Sequence, residues 1–288
     1  MPIPPLPLGL TEDDTDAIIT RALEEDLGEA GDITCAAVIP PEERFIGIMA
    51  ARQELVVAGL PVAARVFARL SPEIEFLPEA EDGERVEAGA VLARLEGPAA
   101  ALLSAERVAL NFLQHLSGIA TETRRHVDAI RGTGCVLLDT RKTTPGLRRL
   151  EKYATRMGGA SNHRMGLHDA ILIKDNHIAV TGSVAEAVRR ARAAGHAQVE
   201  VECDTLEQVG EAVSVGVERI LLDNMDPPVL REALKIIGDE AQTEASGGIT
   251  LENIRAVAAT GVNFISVGRI TQSAPAVDIG LDWTREPL

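Results

Sequence analysis

The amino-acid sequence predicts an α/β protein in two parts. An α+β layer domain is expected over residues 1–116, and parallel strands alternating with helices over 117–270. Three observations carry this reading. After Gly118, short apolar runs recur with helical patterns between them, as βα units require. Before it, a few strand-like runs alternate with helices in no strict order. Third, polar residues gather where six of the later runs end: Asp139 to Thr144, Lys174 with Asp175, Glu202 with Asp204, Asp223 with Asn224, Ser246 to Gly248, and Gly268 with Arg269. In a βα barrel all strand ends share one rim, whereas in a doubly wound open sheet only those beside the switch point converge. Six polar ends favour the barrel.

The elements follow in order. The first ten residues, MPIPPLPLGL, read as an extended tail. Thr11 and Asp14 make a capping pair, and Ile18, Ile19, Leu23 and Leu27 continue at helical spacing. Strand character follows at 45–51, 55–59, 74–77 and 91–97, with a helix at 61–70 and a longer one at 98–116. The segment 82–97, DGERVEAGAVLARLEG, reads as a structural hairpin. It resembles half of a lipoyl or biotinyl carrier but lacks the lysine that such a carrier modifies. In the second part, strands are expected at 136–139, 170–175, 199–203, 220–223, 243–248 and 264–268. Helices are expected near 119–131, 146–158, 183–194, 205–215, 227–237 and 251–260. The last segment, 271–288, is expected to pack back on the N-terminal domain.

Composition narrows the function. A chain of 288 residues is long enough to bury a large core without staples. Its three cysteines, Cys35, Cys135 and Cys203, have no CxxC spacing, which argues against a zinc site and fits a reducing cytoplasm. A net charge of −16 and an aromatic content of 2 % argue against nucleic-acid binding. No uncharged apolar run approaches the roughly 18 residues that a membrane span needs. The proline-broken start does not read as a signal peptide.

The stretch 139–177 departs from this acidic background. It holds eight Lys or Arg against four acids, and three of the six histidines, His163, His168 and His177. Such an island can focus an anionic substrate. Arg148, Arg149, Lys152 and Arg156 sit at helical spacing and read as a solvated helix face. Arg141, Lys142, Arg164 and Lys174 flank strand ends and turns, and read as functional. Lys174 closes an apolar strand, where a lysine needs a partner or a cleft. A fixed cation for a carboxylate or phosphate is favoured over a Schiff-base nucleophile, as in an aldolase-like barrel, or a core-edge lysine paired with Asp139 or Asp175. Glu202 and Asp223 end successive strands. They could hold Mg²⁺, accept from sugar hydroxyls, stabilise a developing cation, or only neutralise the arginines. Ser246, Gly247, Gly248 and Gly268 end the last two strands, where barrels often bind phosphate. Arg107, beside Glu106 on the long helix, either makes an ordinary surface pair or reaches a neighbouring site.

Taken together, LLDTRKTTPGLRRLEKYATRMGGASNHRMGLHDAILIKDNHI, SAERVALNFLQHLSGIAT, VEVECDTLEQ, ILLDNM and EASGGI resemble, in that order, the landmarks of the quinolinate phosphoribosyltransferase family. The resemblance spans roughly 10–285. Met157, Met165 and His168 depart from the family's usual form and carry no assigned role. The resemblance implies an N-terminal α/β sandwich, an incomplete parallel β/α barrel and an obligate homodimer, extendable to a hexamer. It implies a Mg²⁺-dependent reaction of quinolinate with phosphoribosyl pyrophosphate. By the same resemblance Thr140, Arg141, His163, Arg164 and Lys174 would bind quinolinate, joined by Arg107 of the neighbouring subunit. Lys142 would face the pyrophosphate, Glu202 and Asp223 the ribose and Mg²⁺, and Ser246, Gly247, Gly248 and Gly268 the 5′-phosphate. Lys142, Lys174, Glu202 and Asp223 would be the catalytic groups.

Overall fold

A computed structural model describes residues 6, 7 and 9–284, so most of the expected extended tail lies outside the described residues. In chain order the elements are α1 (Glu12–Leu27), α2 (Ile33–Val38), β1 (Arg44–Ala51), β2 (Leu55–Val56), α3 (Leu60–Leu70), β3 (Glu75–Pro78), β4 (Arg85–Val86), β5 (Val91–Pro98) and α4 (Ala99–Ala129). There follow β6 (Val136–Leu138), α5 (Arg148–Met157), β7 (Ile171–Ile173), α6 (Asp175–Thr181), α7 (Val184–Ala193), β8 (Val199–Cys203), α8 (Leu206–Ser214) and β9 (Arg219–Asp223). The chain continues with α9 (Pro227–Ile237), β10 (Gln242–Ser246), α10 (Ile254–Ala258), β11 (Phe264–Ser266), α11 (Arg269–Gln272) and β12 (Ile279–Thr284).

The chain forms two compact units. The first comprises 1–124, 144–159 and 273–288, the second 125–143 and 160–272. In the first, an antiparallel sheet runs β12-β1-β5-β3. The C-terminal strand β12 lies along β1, from Ile46 opposite Thr284 to Ala51 opposite Ile279. Phe67, Met49, Leu95, Leu113 and Tyr153 fill the core of this unit. Thr11 caps α1 by accepting from the Asp14 amide.

Three expectations are corrected here. The segment 82–97 is not a hairpin: β4 pairs with β2, while β5 sits between β1 and β3. The helices expected on either side of Gly118 are one helix, α4. Gly118 is needed there for closeness rather than for a break, because a Cβ would sit 2.2 Å from the Pro275 carbonyl oxygen. The basic face of α5 is only partly solvated: Arg149 is exposed and Arg148 and Arg156 are half-buried, but Lys152 is buried. Lys152, Glu151 and Tyr153 are buried in the first unit, where Glu151 pairs with His115 Nε2 at 2.9 Å and accepts from the Thr144 amide. Arg149 is an exposed partner of Asp14 at 2.9 Å.

The second unit holds a six-stranded parallel sheet in the order β6-β11-β10-β9-β8-β7. Its first strand in sequence pairs with its last, and the others follow in reverse order. A doubly wound sheet places its first strand internally with neighbours wound to both sides. This order is instead a barrel left open between β6 and β7. Ser161 makes a single parallel bridge to Leu138 at that seam. Helices α7, α8 and α9 begin at Ser183, Thr205 and Asp226, whose side chains accept amide hydrogens of the first turn. They contribute Val184, Val188, Val209, Ala212, Leu230 and Ala233 to a core shared with the outward strand residues Val199, Val201, Ile220, Leu222 and Ile265. No helix among the described residues is long and apolar enough to cross a membrane.

Candidate active site

Strand alternation builds the site. Successive side chains point to opposite faces, so packing Val199, Val201 and Cys203 against the helices turns Glu200 and Glu202 to the other face. The same rule sends Arg219, Leu221 and Asp223 inward on β9, and Glu244 and Ser246 on β10. Register aligns Glu202 with Leu221, Leu221 with Glu244, and Asp223 with Ser246.

At the carboxyl ends of these strands lies a cavity of about 380 Å³. Its cationic wall is Arg141, Lys142, Arg164 and Lys174, with Thr140 and His163. The same cavity is lined by Glu202, Asp223 and Ser246, over a floor of Leu172, Leu221, Glu244 and Ser266. The cavity thus unites nine of the residues singled out from the sequence: Thr140, Arg141, Lys142, His163, Arg164, Lys174, Glu202, Asp223 and Ser246. Lys174 donates to Glu202, rather than to Asp139 or Asp175. Asp139 is buried and accepts from the His163 amide at 2.9 Å and from Asn162 at 2.5 Å, which fixes the loop that carries Arg164.

The electrostatics are those of an anion site. Burial, and next Arg141, lower the pKa of Arg164, so the two guanidinium charges crowd each other. Arg164 donates to the Ala170 carbonyl at 3.1 Å, which aims its side chain. Burial raises the Glu202 carboxyl against the pull of Lys174, and Asp223 and Asp204 add to the rise. Two inward carboxylates that repel one another are a hard-oxygen donor pair suited to Mg²⁺, which takes one or two carboxylates plus substrate phosphates.

The glycines serve close approach. Gly247 and Gly248 have φ of +86° and +63°. A Cβ at Gly247 would meet Asn224 Oδ1 at 2.1 Å and the Asn224 amide nitrogen at 2.8 Å. Asn224, itself left-handed at φ 54°, donates to Asp223 at 2.6 Å and orients that carboxylate. A Cβ at Gly268 would meet Lys142 Cδ at 2.8 Å. Arg107 is exposed on α4 in the first unit, and its neighbour Glu106 accepts from Trp283 instead.

Sequence reasoning passed over Glu200, Arg219 and Glu244, taking the strands as apolar. The signal was the alternation in VEVEC and QTEAS. Glu244 is buried beside Glu200, with His163, Arg219 and Ser266 against it, and burial raises its pKa from the ordinary 4.5 to about 7. A group whose folded pKa is raised favours the folded state fully below its unfolded value and loses that contribution as pH climbs to the folded one. Between roughly pH 5 and 7.5, the thermal midpoint of Glu244→Gln should therefore gain on that of the unaltered chain; parallel curves in calorimetry would refute this.

Such a fold and such a rim define an anion-binding β/α-barrel enzyme. Residues 119–282 match the family model of the quinolinate phosphoribosyl transferase C-terminal domain, and residues 32–117 that of its N-terminal domain. The chain belongs to the quinolinate phosphoribosyltransferase family. It is 47 % identical over 262 residues to the "Probable nicotinate-nucleotide pyrophosphorylase (carboxylating)" of Bacillus subtilis, covering 90 % of each chain. It is 45 % identical to the nicotinate-nucleotide pyrophosphorylase (carboxylating) of Mycobacterium leprae, covering 92 % of this chain and 95 % of that one. Among solved structures, the nicotinate-nucleotide pyrophosphorylase of Ehrlichia chaffeensis superposes with a TM-score of 0.90 at 41 % identity, over 93 % of this chain and 98 % of the other.

Proposed function

We infer that this chain transfers the phosphoribosyl group of phosphoribosyl pyrophosphate to quinolinate. The products are nicotinate mononucleotide, pyrophosphate and CO₂, in de novo NAD biosynthesis. The observation that carries the reading is the cavity that sets four cations against two carboxylates. Quinolinate is a dianion and its co-substrate carries several more charges, so such a wall matches the pair. The ion pair between Lys174 and Glu202 suits a fixed cation and leaves the Schiff-base alternative without support.

The roles follow from position. Arg141, Arg164, Lys174 and Thr140 clamp the pyridine carboxylates. Lys142 faces the departing pyrophosphate. Ser246, Gly247, Gly248 and Gly268 take the 5′-phosphate on backbone amides that no Cβ obstructs. Glu202 and Asp223 accept from the ribose hydroxyls and would also hold Mg²⁺, which when bound neutralises pyrophosphate charge. As the bond from ribose C1 to the pyrophosphate oxygen breaks, positive charge grows on the ribose, and the two carboxylates stabilise it. The pyridine nitrogen lone pair forms the new bond to C1. The cationic ring then takes up the electron pair left as the adjacent carboxylate departs as CO₂, and that carbon gains a proton. Positioning and charge suffice, with no covalent enzyme intermediate.

We further propose that a second copy of the chain completes the site with Arg107, as a homodimer, and that the enzyme is cytoplasmic. The exposure of Arg107 supports the first and three free cysteines the second. The test is nicotinate mononucleotide formation from phosphoribosyl pyrophosphate and Mg²⁺ with quinolinate or nicotinate in parallel. Product from quinolinate alone, with equal CO₂, is expected. No product from quinolinate would leave the fold standing and move the substrate to another anion.

A further inference from the structure

Below the reacting groups, at the cavity floor, lies a cluster that the mechanism does not use. His163 Nε2 is 3.4 Å from Glu200 Oε2 and 3.6 Å from Glu244 Oε2. Glu244 is fully buried and Glu200 is 8 % exposed. Glu200 Oε1 and Glu244 Oε1 are buried and have no hydrogen-bond partner among the described residues. Two carboxylates in that state are costly, and a donor held between them offsets part of the cost.

The His163 ring is that donor. Its Nδ1 accepts from the Arg164 amide at 2.7 Å. A ring nitrogen that accepts carries no proton, so the ring proton belongs on Nε2, which faces the two carboxylates. Both ring nitrogens are then engaged, one by the floor and one by the backbone of the next residue. We propose that Glu200 and Glu244 are positioning residues: they hold the His163 ring from below, and the ring fixes the backbone of Arg164, so that the anion clamp is set before substrate arrives.

One imidazole and two carboxylates within 4.8 Å of one another could also suit a divalent cation. Such an ion would need a lone pair at Nε2, where the Arg164 hydrogen bond puts the proton. The geometry therefore favours an Nε2–H that faces the two carboxylates over a metal ligand.

The inference rests on the proposed reaction, and its tests separate the two. The unaltered enzyme, Glu244→Ala, Glu244→Gln and Glu200→Gln are compared for both KM values and for kcat. Glu244→Ala should raise the quinolinate KM about tenfold or more, and leave that for phosphoribosyl pyrophosphate within about twofold. Glu244→Gln, which keeps an acceptor oxygen, should recover most of the loss. An unchanged quinolinate KM in Glu244→Ala, or equal rises in both KM values, overturns the proposal. In the substrate-free unaltered protein, ¹⁵N spectra of the His163 ring should show a protonated Nε2; a bare Nε2 overturns it whatever the activity. Stoichiometric Zn²⁺ or Mn²⁺ binding that Glu244→Ala abolishes also overturns it. If the unaltered chain fails to turn over quinolinate, the proposed reaction falls, and the ring spectra still decide the arrangement.

Discussion

Arg164→Ala should weaken quinolinate binding by roughly a hundredfold or more while the fold survives, because removing one partner of a desolvated charge pair costs about 2–5 kcal/mol. Arg164 is half-buried, carries one hydrogen bond to the Ala170 carbonyl, and is crowded electrostatically by Arg141. Without substrate the pair of guanidiniums is a liability. A dianion relieves it, and that relief favours binding. The alanine variant should for the same reason be no less stable than the parent, with an unfolding midpoint equal to it or higher. Arg164→Lys should fall between the two, since an ammonium keeps the charge but loses the planar fork that matches a carboxylate. Calorimetric titration with quinolinate reads this directly, and parental affinity in the alanine variant would remove Arg164 from the clamp.

The cation wall was legible because it is local. Arg141, Lys142, Arg164 and Lys174 stand out within forty residues of an acidic chain, at positions where turns and strand ends make a surface role hard to justify. The barrel was legible for a similar reason, since the βα units announce themselves by apolar run, polar end and helical pattern. What escaped notice depends on distant packing. Lys152 looks solvated by spacing, yet α5 joins the first unit and this lysine is buried there. Gly118 looks like a boundary, yet its missing side chain admits the chain at Pro275, over 150 residues later. Glu200 and Glu244 hide because a carboxylate inside a barrel is expensive in general, and only the register of β8 and β10 with the loop of His163 shows what faces them. The interior of this barrel is polar where the usual expectation for parallel strands is apolar on both faces.

The carboxylate side of the cavity makes the complementary prediction. Glu202→Gln preserves the shape and leaves an amide oxygen for Lys174, but removes the negative charge that faces the ribose in the proposed reaction. Losing one such electrostatic group costs about 10²–10³ in kcat where it acts only on the transition state. The quinolinate KM should stay within about threefold, because the substrate carboxylates are held by the cations and not by this carboxylate. Glu202→Ala should be worse on both counts, since Lys174 loses its partner and is freed from the position in which Glu202 holds it. Asp223→Asn provides the internal comparison. Asn224 already donates to that carboxylate, so an amide there must turn its oxygen toward Asn224 and its nitrogen toward the substrate, replacing an acceptor by a donor. Its loss in kcat should therefore match or exceed that of Glu202→Gln. Steady-state kinetics with both substrates decide between the outcomes. A Glu202→Gln enzyme with parental kcat and a raised quinolinate KM would make Glu202 part of the clamp, leaving Asp223 as the group that answers the charge developing on the ribose.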